Sequence, residues 1–188
     1  KRIILKISLG QYSIPGIKSV NQDFLAARVP QGSLLLQKGI ALALADGISS
    51  SAVSQIASET AVKNFLEDYY CTSETWTVKN AAERVLSAIN SWLYAQTRRS
   101  PHRYDHEKGF VCTFSAMILK NRTAHIFHIG DTRVYRFNHL GLEQLTKDHR
   151  LWLTEEQSSL SRALGAEAQC AIDYQSIDVQ VGDIFLLV

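Results

Sequence analysis

The 188-residue chain is 46% hydrophobic and 20% charged, with a net charge of +2. That is the balance of an ordinary globular protein, and it excludes a disordered chain and a strongly basic nucleic-acid binder. Cys71, Cys112 and Cys170 are odd in number, dispersed and without Cys-x-x-Cys spacing. They argue against a disulfide framework or a zinc site and for a reducing, cytoplasmic setting. No apolar run approaches the ~20 residues needed to span a bilayer. The start, KRIILKISLGQYSI, lacks the continuous apolar core of a signal peptide.

Residues 2–9 and 24–29 carry strand-type patterning around a Pro15–Gly16 turn. IALALA, residues 40–45, is short, apolar and bounded by Gly39 and Asp46–Gly47, which predicts a buried strand. From Ala52 the period changes. Val53, Ile56, Ala57, Thr60, Ala61 and Phe65 recur at three- and four-residue steps, the stripe of an amphipathic helix, and Ser51 or a neighbour is placed to cap its first turn. A second stripe runs from Val78 through Leu86 to Leu93, so two antiparallel helices are expected on either side of CTSETWT. The polar stretch 98–110, with Pro101, reads as a loop.

Dense strands follow. Residues 111–119 and 123–130 flank the hairpin signal Lys120–Arg122, and 132–137 returns through NHLG to 142–145. Residues 145–165 look mixed, with a short helix expected near TEEQSSLSRAL. Strands at 176–180 and 184–188 end the chain. Strands, then helices, then antiparallel strands give an α+β fold: an antiparallel β-sandwich with helices laid on it, not a doubly wound parallel sheet. One domain is expected over 1–188. Because IFLLV is a strand running off Val188, that domain is read as incomplete at its C-terminus.

Several carboxylates sit beside glycine near strand ends. An isolated Asp–Gly pair is ordinarily a turn, and Gly182–Asp183 is read as one. Asp46 and Asp131 differ, because each follows a run apolar enough to be central in a sheet. A partly dehydrated carboxylate there is costly without a cation or donors. Asp46 with the Gly47 carbonyl offers two oxygens to a hard cation such as Mg²⁺ or Mn²⁺, and Asp23 is the first candidate to add a further carboxylate. His125 and His128, at odd spacing in one strand, face opposite sides and are read as structural, like the other four histidines. No hydrolase-elbow, zincin or Walker motif occurs, and Ser49–Ser51 read as loop and cap, not nucleophile.

In order, KSVNQDF (18–24), ALADGIS (43–49), GFVCTFSAMIL (109–119), HIGDTRVYRF (128–137), LTKDH (145–149), LSRALG (160–165) and GDIFLLV (182–188) resemble the motifs of the type 2C metal-dependent serine/threonine protein phosphatases. The bacterial branch is the nearer match, in particular the phosphatase half of bifunctional kinase–phosphatase chains. The resemblance implies an α-β-β-α sandwich with helix pairs on both sides. It implies two Mn²⁺ or Mg²⁺ ions, with a weaker third. Asp46 would bridge the two ions, the Gly47 carbonyl would bind one, and Asp23 would hold metal-bound water. Asp131 would serve the third ion. Gln22 stands where many relatives have Glu. Lys18 stands where relatives often have a phosphate-binding Arg, and it offers a point charge in place of a bidentate fork.

The implied reaction is hydrolysis of phosphoserine and phosphothreonine in proteins by a metal-activated water, with no covalent protein nucleophile. The partners implied are phosphorylated proteins and a kinase domain on the same chain, with no nucleic acid and no membrane insertion. Two further metal-binding Asp residues of the family, in an SDG stretch and an Asp–Asn pair, fall past Val188, so little activity is expected of 1–188 alone. The DGxGG loop of many relatives is DGISS here. These departures keep open an alternative: a non-catalytic, phosphatase-like regulatory or phosphoprotein-binding module.

Overall fold

The structure, a computed structural model, describes residues 6–152 and 158–188. Its centre is a five-stranded antiparallel sheet in the order β1-β2-β3-β4-β9. The strands are β1 (Asp23–Arg28), β2 (Ile40–Asp46), β3 (Phe114–Lys120), β4 (Thr123–Ile129) and β9 (Asp173–Asp178). Alternation along these strands builds two cores. Ala41, Ala43, Ala45, Phe114, Ala116, Ile118, Phe127 and Ile129 lie on one side, and Ile40, Met117, Leu119, Ala124 and Ile126 on the other. The small residues of β2 let helices approach closely. His125 and His128 fall on opposite faces, as their spacing predicts.

The first core is closed by two long helices, α2 (Ser54–Cys71) and α3 (Val78–Arg99), which pack on each other. Ala57, Ala61, Val62 and Phe65 of α2 and Ala82, Leu86 and Leu93 of α3 are buried there. Phe65 sits edge-on to Phe114, with ring centroids 5.2 Å apart. Thr77 caps α3 by accepting the Asn80 N–H at 3.1 Å. The N-cap of α2 is Val53, not Ser51, but Ser51 Oγ accepts the Val53 N–H at 3.2 Å just before the first turn and donates to the Gly109 carbonyl at 2.8 Å. A short helix, α1 (Gly32–Lys38), was not signalled by a period. Its buried Lys38 donates to the Thr72 carbonyl at 2.7 Å, at the end of α2.

The second core is closed by a three-stranded sheet in the order β10-β5-β6. It is built from β5 (Val134–Asn138), β6 (Gly141–Gln144) and β10 (Ile184–Leu187), and it presents Val134, Phe185 and Leu187 inward. The fold is therefore α+β with antiparallel sheets, as expected, and α2–α3 is the helix pair among the described residues.

Two expectations fail. Residues 6–9 form no strand, and the rest of the expected 2–9 strand lies outside the described residues. The helix expected near TEEQSSLSRAL is replaced, where described, by a two-stranded hairpin of β7 (Arg150–Trp152) and β8 (Ser158–Leu160). Its remaining residues, 154–157, lie outside the described ones. An apolar stripe that short does not stabilise a helix on its own, and 158–160 pairs with β7 instead. Asp183 does sit in a turn, accepting the Gln180 N–H at 2.8 Å and pairing with Arg136 at 2.8 Å. Among the described residues no helix is long and apolar enough to cross a membrane.

Phe65 is fully buried at the junction of α2 and β3. Phe65→Ala is expected to destabilise the fold by about 3–5 kcal/mol, read as a lower urea midpoint at unchanged m-value.

Candidate metal centre

Antiparallel pairing gathers the candidate residues at one end of the five-stranded sheet. β1 starts there, β2 ends there, β3 starts there, β4 ends there and β9 starts there. The register sets Asp23 opposite Asp46. Two carboxylates on paired positions of neighbouring strands cannot avoid each other. Burial, a hydrogen bond to Asp23 and the charges of Asp23 and Asp131 push the Asp46 carboxyl up to about 7, with Lys18 opposing. The structure thus brings Asp23, Asp46, Asp131 and Lys18 within electrostatic reach. Among the described residues, however, no three carboxylate, imidazole or thiol groups converge at metal-ligand spacing.

The backbone around Asp46 is fastened from both sides. The Asp46 carbonyl accepts the Thr113 N–H at 2.8 Å, and Ile48 N–H reaches the Val111 carbonyl at 3.4 Å. Gly47 lies between them and gives its N–H to the Gln22 carbonyl at 3.0 Å. Its role is close approach. A Cβ at residue 47 would lie 2.7 Å from the Ser54 carbonyl oxygen, which leaves room for no other residue where α2 begins.

Gln22 does not face the candidate centre. Its Nε2 donates to the Ser51 carbonyl at 3.0 Å, to Ser54 Oγ at 2.8 Å and, at 3.3 Å, to the Ile48 carbonyl. Its own carbonyl accepts from Ser58 Oγ at 2.6 Å. The DGISS loop is thus shaped around an amide. Two of the three acceptors are carbonyls, which an ionised carboxylate at that position would repel.

A second set of bonds fixes Asp131. Gly130 has φ of 108°, and a Cβ there would lie 2.5 Å from Thr113 Cβ. Its N–H donates to His149 Nδ1 at 3.0 Å, and its carbonyl accepts the His149 N–H at 2.7 Å. His149 Nε2 meets Asp173 at 2.9 Å. The next residues along each segment then pair. Arg150 Nε donates to Asp131 Oδ2 at 2.8 Å, and its Nη2 contacts the same oxygen. Arg133 grips Asp148 through Nε at 2.9 Å and Nη2 at 2.6 Å, holding that carboxyl below its ordinary value.

Beneath lies buried His128, whose Nε2 donates to the Lys147 carbonyl at 3.0 Å. Its Nδ1 must therefore accept from Ser115 Oγ, at 2.9 Å, which also bonds Thr132 Oγ1 at 2.9 Å. Burial and the adjacent His149 push His128 down, in keeping with a neutral ring. These histidines hold the turn, as the sequence led us to expect. Cys112, beside Gly47, is fully buried, and burial raises its thiol far above its ordinary value, so it is no nucleophile. Arg150 and Thr113 escaped the sequence reading. Their one signal was position, Thr113 inside GFVCTFSAMIL and Arg150 directly after LTKDH.

A protein phosphatase 2C family model matches residues 16–186, and the chain belongs to that family. A protein phosphatase 2C-type protein of Streptococcus pyogenes serotype M6 is 31% identical over 157 residues, covering 80% of this chain and 56% of the relative. The serine/threonine phosphatase stp of Listeria monocytogenes serovar 1/2a is 27% identical over 167 residues, covering 77% of this chain and 63% of the relative. The chain thus spans about three-fifths of these relatives. The catalytic domain of the phosphatase PstP, solved in complex with 2 manganese ions, superimposes with a TM-score of 0.69 at 23% identity, over 91% of this chain and 71% of that one. That likeness carries the fold.

Two predictions follow from this geometry. Gln22→Glu sets a carboxylate against two carbonyls and is expected to destabilise the fold by about 1–3 kcal/mol in urea titration, more than Gln22→Ala. The Asp46 carboxyl binds its proton more tightly folded than unfolded. Its contribution to the stability of the metal-free protein therefore falls as pH rises from about 4 to about 7. Asp46→Asn should raise the melting temperature of the metal-free protein more at pH 8 than at pH 5.

Proposed function

We propose that the protein hydrolyses phosphoserine and phosphothreonine in other proteins, using divalent cations held at the Asp23–Asp46 edge. One arrangement carries the reading: Asp23 and Asp46 stand opposite each other in the ladder, and burial with the Asp23 hydrogen bond and charge pushes the Asp46 carboxyl up to about 7, which a bound cation would relieve. The donor set suits a hard, oxygen-seeking ion, Mn²⁺ or Mg²⁺. Asp46, the Gly47 carbonyl and Asp23 would hold it. When bound, such ions supply a water activated for in-line attack and neutralise charge on the phosphoryl group.

The chain's own residues do the rest. Thr113 and Gln22 immobilise the backbone on either side of Asp46, so that its carboxylate is preorganised. Lys18 adds positive charge for the phosphate. Family membership supports the reaction class. The odd, dispersed cysteines support a cytoplasmic setting. A second reading, a non-catalytic module of the same fold, draws on the engagement of Asp131 with Arg150.

The assay that separates them is Mn²⁺-dependent hydrolysis of a phosphothreonine peptide by the full-length protein. Turnover is expected to vanish with a chelator and to fall by more than about 100-fold in Asp46→Ala. Turnover without metal, or turnover unchanged in Asp46→Ala, contradicts the proposal.

A further inference from the structure

The resemblance assigns Asp131 to a weaker third cation. The structure assigns its carboxylate another partner: we infer that in this chain Arg150 is the resident cation of that position, and that the ion pair seats the β7–β8 hairpin against the metal edge. The inference rests on the reading that this edge takes divalent cations, but it concerns which carboxylate is withheld from them.

The pair is built, not incidental. Gly130 exchanges two hydrogen bonds with His149, one through backbone and one through the ring. That places residues 131 and 150 side by side. Buried His149 is itself tied to Asp173. The guanidinium is held from a second side, because Nη1 donates to Ser158 Oγ at 2.6 Å on the facing strand of the hairpin. Nε and Nη2 both converge on Asp131 Oδ2. The Asp131 side chain is only 16% exposed and that of Arg150 38%, so the carboxylate is the shielded partner of a pair whose guanidinium reaches solvent. The Ser161 N–H donates to the His149 carbonyl at 2.9 Å, which returns the far strand of the hairpin to the same anchor.

Two consequences follow. A weakly held ion must displace a fixed guanidinium to reach Asp131, and a guanidinium cannot lose its charge to make way. Conversely, neutralising Asp131 frees the hairpin at its base.

The test has two readouts on the full chain. In metal-free protein, hydrogen exchange across 150–152 and 158–160 is expected to rise about fivefold or more in Asp131→Asn and in Arg150→Gln. In Mn²⁺ titrations followed by electron paramagnetic resonance, Arg150→Gln is expected to bind one additional weak ion per chain, which the Arg150→Gln/Asp131→Asn double variant loses. Arg150→Lys, which keeps the charge, should not gain it. Unchanged hairpin exchange in both single variants overturns the inference. So does a wild-type ion that Asp131→Asn removes, or an Arg150→Gln variant that gains no Asp131-dependent ion. The exchange readout needs neither metal nor turnover. A protein that fails as a phosphatase yet loosens its hairpin would refute the proposed function and leave the seat standing.

Discussion

Asp23 and Asp46 face each other across one rung of an antiparallel ladder, and like charges so placed repel. The backbone around Asp46 resists the relaxation that would separate them. β2 is second in the sheet, walled by β1 and β3, and its alanines are pressed under α2. Gly47 is too close to Ser54 to carry a side chain, and Gln22 bonds the loop that follows. The Asp46 backbone cannot shift to ease the repulsion, which raises its carboxyl to about 7 and in our reading is relieved by a cation. Strained electrostatics held by a rigid scaffold is a common form of preorganisation for function.

The opposite corner of the same sheet end is handled differently. Asp131, Asp148 and Asp173 are each matched to an arginine or a histidine, and His128 is satisfied at both ring nitrogens. The sheet end therefore divides into a half around Gly130–His149, where carboxylates pair with arginine or histidine, and a half where Asp46 meets the like charge of Asp23. In the reading proposed above, that division, not the number of carboxylates, is what points to the place of a ligand cation.

Much of this was legible from residues alone. The helical stripes of α2 and α3 are long and regular, so their period survives any local ambiguity. Strand-then-glycine punctuation located Asp46 and Asp131. What was not legible depends on contacts made across the chain. The 6–9 stretch has a strand pattern but meets no partner strand. The 158–160 segment follows the ladder of β7 against its local helical signal. Gln22 looks like a neutral replacement for an acid until the DGISS loop closes over it, and Arg150 looks like an ordinary surface cation until His149 brings it beside Asp131. Registers and side-chain partners are long-range quantities, and a single sequence carries them only through motif order.

The central claim is that a divalent cation at the Asp23–Asp46 edge takes the place of the proton on Asp46. Calorimetric titration of Mn²⁺ near pH 7, repeated in buffers of different ionisation enthalpy, counts the protons released per ion. With Asp46 pushed up to about 7, the account predicts release of about half a proton, shrinking toward zero by pH 9 and absent in Asp46→Asn. Tight binding with no proton release at pH 7, or identical binding and release in Asp46→Asn, would contradict it.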